Sequence, residues 1–501
     1  MLKRIIIFMV WSPFVWGQYE QAYTNKPVPY SSTILIPRAA VPQAGVVPQA
    51  TSVEIPVAGV PQPPVSSAPA SLNSPFKPAA AIPHPTTSDL ARRRVQVVAP
   101  PLPALTPVTQ VPLPVNVAAP AVVVDNHRYV APNGLDTDAG TQDKPWRTIQ
   151  HAAEQAKPGD IVVVRAGIYE PFHTMRSGTA EKPIIFQAEA NVIVGPPGGL
   201  RPSEKTAKTL AELYRLDNIH VRFCDYIIIE GFQVQRAARC GICVVDSRGV
   251  VLRNNIVSDA RVFGILTGFA VEVQILNNKT FGTLEQHGIY VSNSRSERNN
   301  PVIRGNESYA NNYTGIQVNG DCKSGGNGSI TGAIIENNII HDNSSKGMSL
   351  ISMSDSIVQN NLIYNNGKTS GAGGIHLTDE KDCGRPSSGN VIVNNTIDEP
   401  NITGIRLTDG AVDNIIFNNL LISPRPLVDE VKDNKIDTLS NVKLQSNAGV
   451  FVNPLLGDYR LIAGSPAKSL GLPVYYMRVA PLTDCTGQRR KNATGINAGA
   501  Y

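Results

Sequence analysis

Seven ionisable residues in the C-terminal half of this chain are spaced as if to share one surface. His287, Lys346, His376 and Arg406 are the basic set, and Asp321, Asp379 and Asp409 the acidic one. A base that removes a proton beside a carboxylate, with a cation facing that carboxylate, performs β-elimination through an enolate-like intermediate. His376, His287 or Lys346 could be the base and Arg406 the cation. Asp379 and Asp409 hold the same place in two matching segments, His-Leu-Thr-Asp and Arg-Leu-Thr-Asp. Carboxylates paired at about 5 Å suit a retaining glycosidase and are also the beginning of a calcium site. An aspartate at a strand end can equally do no more than cap the next turn. An inverting hydrolase needs carboxylates about 6.5–9.5 Å apart, for which Asp321, Asp379 and Asp409 are the available set.

A repeat must hold these residues in line. Gly241-Ile242, Gly264-Ile265, Gly288-Ile289, Gly315-Ile316, Gly374-Ile375 and Gly404-Ile405 share one phase, with Gly347-Met348 as a seventh copy. Most follow a polar bend such as Asn254-Asn255, Asn277-Asn278, Asn337-Asn338, Asn360-Asn361 or Asn394-Asn395. Successive pairs lie 23, 24, 27, 32, 27 and 30 residues apart. Short β-branched runs at that period, without a helical rhythm, read as a solenoid. Each coil buries one apolar row on its neighbours, and the bend asparagines can stack as a hydrogen-bonded ladder.

Alternation along a strand then gives direction. With the Ile inward, the next residue points outward, giving the column Cys243, Leu266, Tyr290, Gln317, Ser349, His376 and Arg406. Two residues on, the column is Val245, Gly268, Ser292, Asn319, Ile351, Thr378 and Thr408. From Tyr290 onward the face is polar. Tyr290 offers a ring for a sugar, and Gln317, Asn319, Ser349, Thr378 and Thr408 offer hydrogen bonds. Arg406 suits a carboxylate, and Asp379 and Asp409 border the same surface. A solvated sheet face would show the same residues.

The rest of the chain sets the context. Its 501 residues carry a net charge of only +5, which gives no nucleic-acid signature. Lys3 and Arg4 precede an apolar run over residues 5–16, so residues 1–17 read as an export leader, with an uncleaved anchor as the alternative. Residues 24–124 hold 21 of the 39 prolines, so 18–126 reads as an extended, disordered spacer. Six cysteines permit disulfides in an exported chain, and Cys322 with Cys383 is the pair that long loops could join. Cys240-x-x-Cys243 falls on an expected strand, where a structural role is favoured over a redox one.

Order is expected from His127. Pro145 begins a helix with Trp146, Ile149, Ala152, Ala153 and Ala156 on one face, placed to cover the open end of the solenoid. Residues 451–501 lose the repeat and are expected to fold back as the other cap.

The stretch YVAPNGLDTDAGTQDKPWRTIQHAAEQAKPGDIVVVRAGIY, the repeats HGIYVSNS, GIQVNGD and IENNIIHDN, and the ending NPLLGDYRLIAGSPAKSLG with INAGAY resemble pectate-lyase-like right-handed parallel β-helix proteins. The resemblance covers residues 127–501. It implies an all-β, right-handed parallel β-helix with an N-terminal capping helix. That superfamily holds lyases, hydrolases, epimerases and silent surface proteins. The expectation is therefore a secreted or cell-envelope protein, monomeric, acting on an acidic polysaccharide by β-elimination. A non-catalytic glycan-binding or structural protein and a glycoside hydrolase using the paired aspartates are the alternatives. No cofactor is assigned, calcium being the one the aspartates invite.

Overall fold

The computed structural model describes residues 126–196, 216–292, 298–323, 325–369, 373–490 and 495–501. The expected leader, and the expected spacer up to residue 125, lie outside the described residues.

Three long parallel sheets of 12, 11 and 10 strands wind around one core. Each full coil gives one strand to each sheet in turn, as Gln274–Leu276, Lys279–Phe281 and Ile289–Ser292 do. The 10-stranded sheet carries the Gly-Ile repeats and is called the site sheet below. Its register is the one the repeat phase predicts: Ile242, Ile265, Ile289, Ile316, Met348, Ile375 and Ile405 pair coil to coil. All seven are wholly buried. Replacing Ile316 by alanine is expected to cost about 2–5 kcal/mol, because rigid neighbours cannot close the cavity. Chemical denaturation measures it; a loss below about 1 kcal/mol would mean that the core relaxes around the gap.

The Asn-Asn bends have a division of labour. The first asparagine takes the left-handed conformation, at φ 57° in Asn254, 54° in Asn277, 57° in Asn337 and 55° in Asn360. Asparagine and glycine tolerate that region best, and Gly231 and Gly305 stand in the same place at φ 80° and 68°. The second asparagine points inward and builds a ladder through Asn255, Asn278, Asn306, Asn338, Asn361, Asn395, Asn419 and Asn441. Each rung's side-chain NH2 donates to the next coil's side-chain oxygen, which also accepts that rung's own backbone N–H. Buried turn backbone is thereby satisfied without water.

A second ladder runs through Asn311, Asn343 and Asn366 and ends on Glu399. Glu399 accepts from the Asn366 backbone and side chain at 2.8 and 2.7 Å. Burial, against those two bonds, pushes its carboxyl up to about 8. The fold therefore favours the protonated form. This contribution to stability is complete below the ordinary carboxyl value of 4.5 and is lost as pH rises through about 8. Glu399→Gln is expected to raise the melting temperature at pH 8 and to change it little near pH 4.5. An equal effect at both pH values would show that the carboxyl does not titrate there.

Both ends are covered. The N-terminal helix, α1, spans Ile149–Gln155 and begins later than the sequence pattern suggests. Asp136 is the reason: its carboxylate accepts from the backbones of Arg147 and Thr148 and from the Thr148 hydroxyl, so the chain stays extended until Thr148 caps the helix. Trp146, Ile149, Ala152, Ala153 and Ala156 are all buried against the first coils. At the far end Tyr459 stacks beside Tyr364 and donates to Asp398 at 3.1 Å. Asn360 and Asn394, exposed bend positions in other coils, here donate to the carbonyls of Thr483 and Asn497.

Candidate functional site

The outward column of the site sheet is in register from Cys243 through Leu266, Tyr290, Gln317, Ser349 and His376 to Arg406. Lys346 enters it from the turn that precedes Met348. Gly347 permits the entry, since a Cβ there would lie 2.4 Å from Ile363 and 2.7 Å from the Gly374 carbonyl. The Lys346 ammonium donates to the Ser349 hydroxyl at 3.4 Å.

Four basic groups converge. Burial, and then the Arg406 charge, lowers the Lys346 amine from its ordinary value to about 8. Burial, followed by Lys346 and Arg406, lowers His376 to about 3, and burial with Lys346 does the same to His287. Lys346 is thus the shared neighbour of His287, His376 and Arg406. Both imidazoles are neutral across the physiological range. His376 Nε2 bonds the Thr408 hydroxyl at 2.9 Å. His287 is enclosed by the rings of Phe263, Tyr290 and Tyr313, with centroids 5.2–5.9 Å away.

The column is less open than alternation implies. Tyr290, Asn319 and Ser349 are buried, and Asn319 donates to the Tyr290 hydroxyl at 3.3 Å. Gln317, Thr378 and Thr408 are half-buried. Arg406 is held by Glu430, its Nε and Nη2 donating at 2.8 and 2.7 Å. Glu430 has no Gly-Ile pair to mark it, because the strand before it, Arg425–Asp429, has none. The signal that could have found it is the spacing: it stands 24 residues after Arg406, one coil length.

Asp379 and Asp409 lie on adjacent coils, the Asp379 backbone donating to the Asp409 carbonyl at 2.9 Å. Their carboxylates serve different ends. Asp409 is exposed and ion-paired with Lys381 at 2.8 Å, whereas Asp379 packs over Gly410 with one buried oxygen lacking a hydrogen-bond partner. Asp321 is buried, and its carboxylate accepts from the Lys323 backbone at 2.7 Å. A disulfide joins Cys322 to Cys383, tying the loops after two strands of the site sheet to each other.

Among the described residues, the one group of three potential metal ligands is Asp217, Cys240 and Cys243, all wholly buried. It includes both cysteines of the C-x-x-C motif. Its carboxylate is already committed. Arg239 binds both Asp217 oxygens, His220 Nδ1 bonds one at 2.6 Å, and the Cys240 backbone donates to the other. The guanidinium supplies the positive charge that a metal would bring, so a structural role fits these residues and a metal does not.

A model described as the Pel9A-like right-handed β-helix region matches residues 128–312, and one described as the right-handed β-helix region matches 272–452. Both matches are to right-handed β-helix regions, and together they run from residue 128 to residue 452. The chain is 34% identical over 134 residues to the uncharacterised protein YwoF of Bacillus subtilis, covering 26% of this chain and 28% of that one. It is 41% identical over 63 residues to pectate lyase PEL9 of Emericella nidulans, covering 12% of this chain and 15% of that one. The matched stretches therefore span less than a third of either relative. The crystal structure of pectate lyase Pel9A superposes with a TM-score of 0.54 at 15% identity, over 75% of this chain and 96% of that one. Among the described residues no helix is long and apolar enough to cross a membrane.

Proposed function

We propose that this β-helix acts on an acidic polysaccharide and cleaves it by β-elimination, with Lys346 as the base. One observation carries the reading: an amine with its pKa lowered to about 8 by burial and a neighbouring guanidinium, set in a cluster of basic groups. A fraction of that amine is neutral near pH 7, and the neutral form can take the proton at C5 of a uronate. His287 and His376, lowered to about 3, are too weakly basic for the task. Arg406 would face the substrate carboxylate once Glu430 yields it, and so balance the charge that builds up as the proton leaves. The C4–O bond then breaks with its electron pair on the departing sugar's oxygen, which takes a proton from water, and the C4–C5 double bond of an unsaturated uronate forms. The resemblance to proteins called pectate lyases agrees with this chemistry.

A second reading, a glycan-binding protein without turnover, is favoured by the Arg406–Glu430 pair, which occupies the cation that β-elimination would use. Incubation with a panel of polyuronates separates the readings. Ultraviolet absorbance of an unsaturated product supports the lyase. New reducing ends without it mean a hydrolase, and neither outcome leaves binding alone.

A further inference from the structure

A short hairpin in the C-terminal cap has a turn that its sequence should avoid. Val474–Tyr475 pairs antiparallel with Arg478–Val479, leaving Tyr476 and Met477 as the two-residue loop. Both are left-handed, at φ 44° and 58°. Loops of this kind favour Asn-Gly, because large side chains are strained at positive φ. The strain does not serve the core. Tyr476 and Met477 are 56% and 93% exposed. The core contact comes from their neighbour: the Tyr475 ring lies 5.6 Å from that of the buried Phe417.

The loop borders an open cleft of about 380 Å³ lined by Gly389, Asp413, Ile415, Lys435, Tyr476, Met477 and Arg478. That volume lies within the range of small-ligand sites. Lys435 pairs with Asp413, and its ammonium lies 5.9 Å from the Tyr476 ring centroid. Asp433 also acts on Lys435, so that cation is already balanced, whereas Arg478 has no carboxylate partner among the described residues. An aromatic and thioether wall suits the C–H face of a sugar, and the unpaired Arg478 guanidinium suits a carboxylate on it.

We infer that this cleft is a second, non-catalytic site for one acidic sugar residue, its ring against Tyr476 and Met477 and its carboxylate toward Arg478. The choice of an acidic sugar rests on the reading of the polar column; the cleft and the strained loop do not. Asp413 follows Arg406 by seven residues in the same coil, and Lys435 follows Glu430 by five in the next. A polymer crossing Arg406 can therefore continue around one bend of the solenoid into this cleft. Held there, it would stay attached after a cut at the column.

Met477 is a site-specific reporter, since the chain has only six methionines. The full chain carrying Lys346→Ala, which blocks turnover, is labelled on its methionine methyls and titrated with trigalacturonate. Met477→Gly assigns the signal. The Met477 resonance is expected to shift saturably with trigalacturonate and not with its methyl ester. Arg478→Gln should raise the half-saturating concentration about tenfold. An unmoved Met477 signal, an equal shift with the ester, or no effect of Arg478→Gln overturns the site. A shift in a protein whose unsubstituted form gives no unsaturated product keeps this site and refutes the lyase.

Discussion

Lys346→Ala should lower polyuronate turnover by a factor of about 10²–10⁴, the usual worth of a positioned general base. Binding should change far less, because Arg406 remains. Lys346→Arg should be equally inactive, since a guanidinium does not lose its proton in this range. The unsubstituted protein should gain activity as pH rises and level off above about 8, where the Lys346 amine is neutral. Stability has its own sign. The folded amine is held below its ordinary 10.5, so the fold resists protonation there, and its contribution grows as pH rises from about 8 toward 10.5. Lys346→Ala should consequently melt no lower than the parent at pH 7. Full turnover in the alanine variant, or a rate flat from pH 7 to 9 about the Lys346 value of about 8, would remove this residue from the mechanism.

The largest loss of stability should come from a polar residue. Asn338 is wholly buried and sits mid-ladder. Its oxygen accepts from the Asn306 backbone and side chain at 2.9 and 3.0 Å, and its NH2 donates to the Ile303 carbonyl and to Asn361 at 2.9 Å each. Asn338→Ala strands the Asn306 backbone N–H and the Ile303 carbonyl in a dry turn, at about 1–3 kcal/mol for each group left without a partner. It also takes one bond each from the Asn306 NH2 and the Asn361 oxygen, which keep the Ile275 carbonyl and the residue-338 backbone N–H. Partial relaxation brings the expected total to about 3–6 kcal/mol, above that of Ile316→Ala. Asn338→Asp should be worse, since it keeps the acceptors, removes both donors and adds a buried charge. Urea midpoints order the three variants. If Asn338→Ala proves milder than Ile316→Ala, the ladder follows the turns and does not hold them.

The fold was legible because one signal was repeated. Every Gly-Ile pair carries the same phase, so a single error of register would have misplaced all of them, and the pairing of Ile289, Ile316, Ile375 and Ile405 agrees with that phase. The Asn-Asn bends were legible as ladder positions for the same reason. Glu399 was not, because a carboxyl takes the place of an amide and breaks the pattern there. Alternation gave the direction of Ser349 and Tyr290 but not what lies over them, so their burial was hidden. Cys240 and Cys243 were seen, but the Asp217–Arg239 pair beside them was not, since a buried ion pair leaves no periodic trace. The 474–479 hairpin was missed because Tyr-Met is not a turn sequence.

The ladders also give the molecule an electrical direction. In all three rows, including Asn390 to Asn414 to Asn434, each NH2 points to the following coil and each side-chain oxygen to the preceding one. Strand backbone dipoles in a sheet largely cancel, but these amide dipoles all add along the axis. The coils from Asn255 to Asn441 are thus polarised, positive toward the C-terminal side, as a helix is polarised by its peptides. One row ends on the acidic side chain of Asp429, which accepts from Asn434 at 3.1 Å, and another on Glu399, which burial keeps protonated. An acidic polymer lying along the site sheet would meet the field of the whole stack, strongest near Arg406, where the last coils begin.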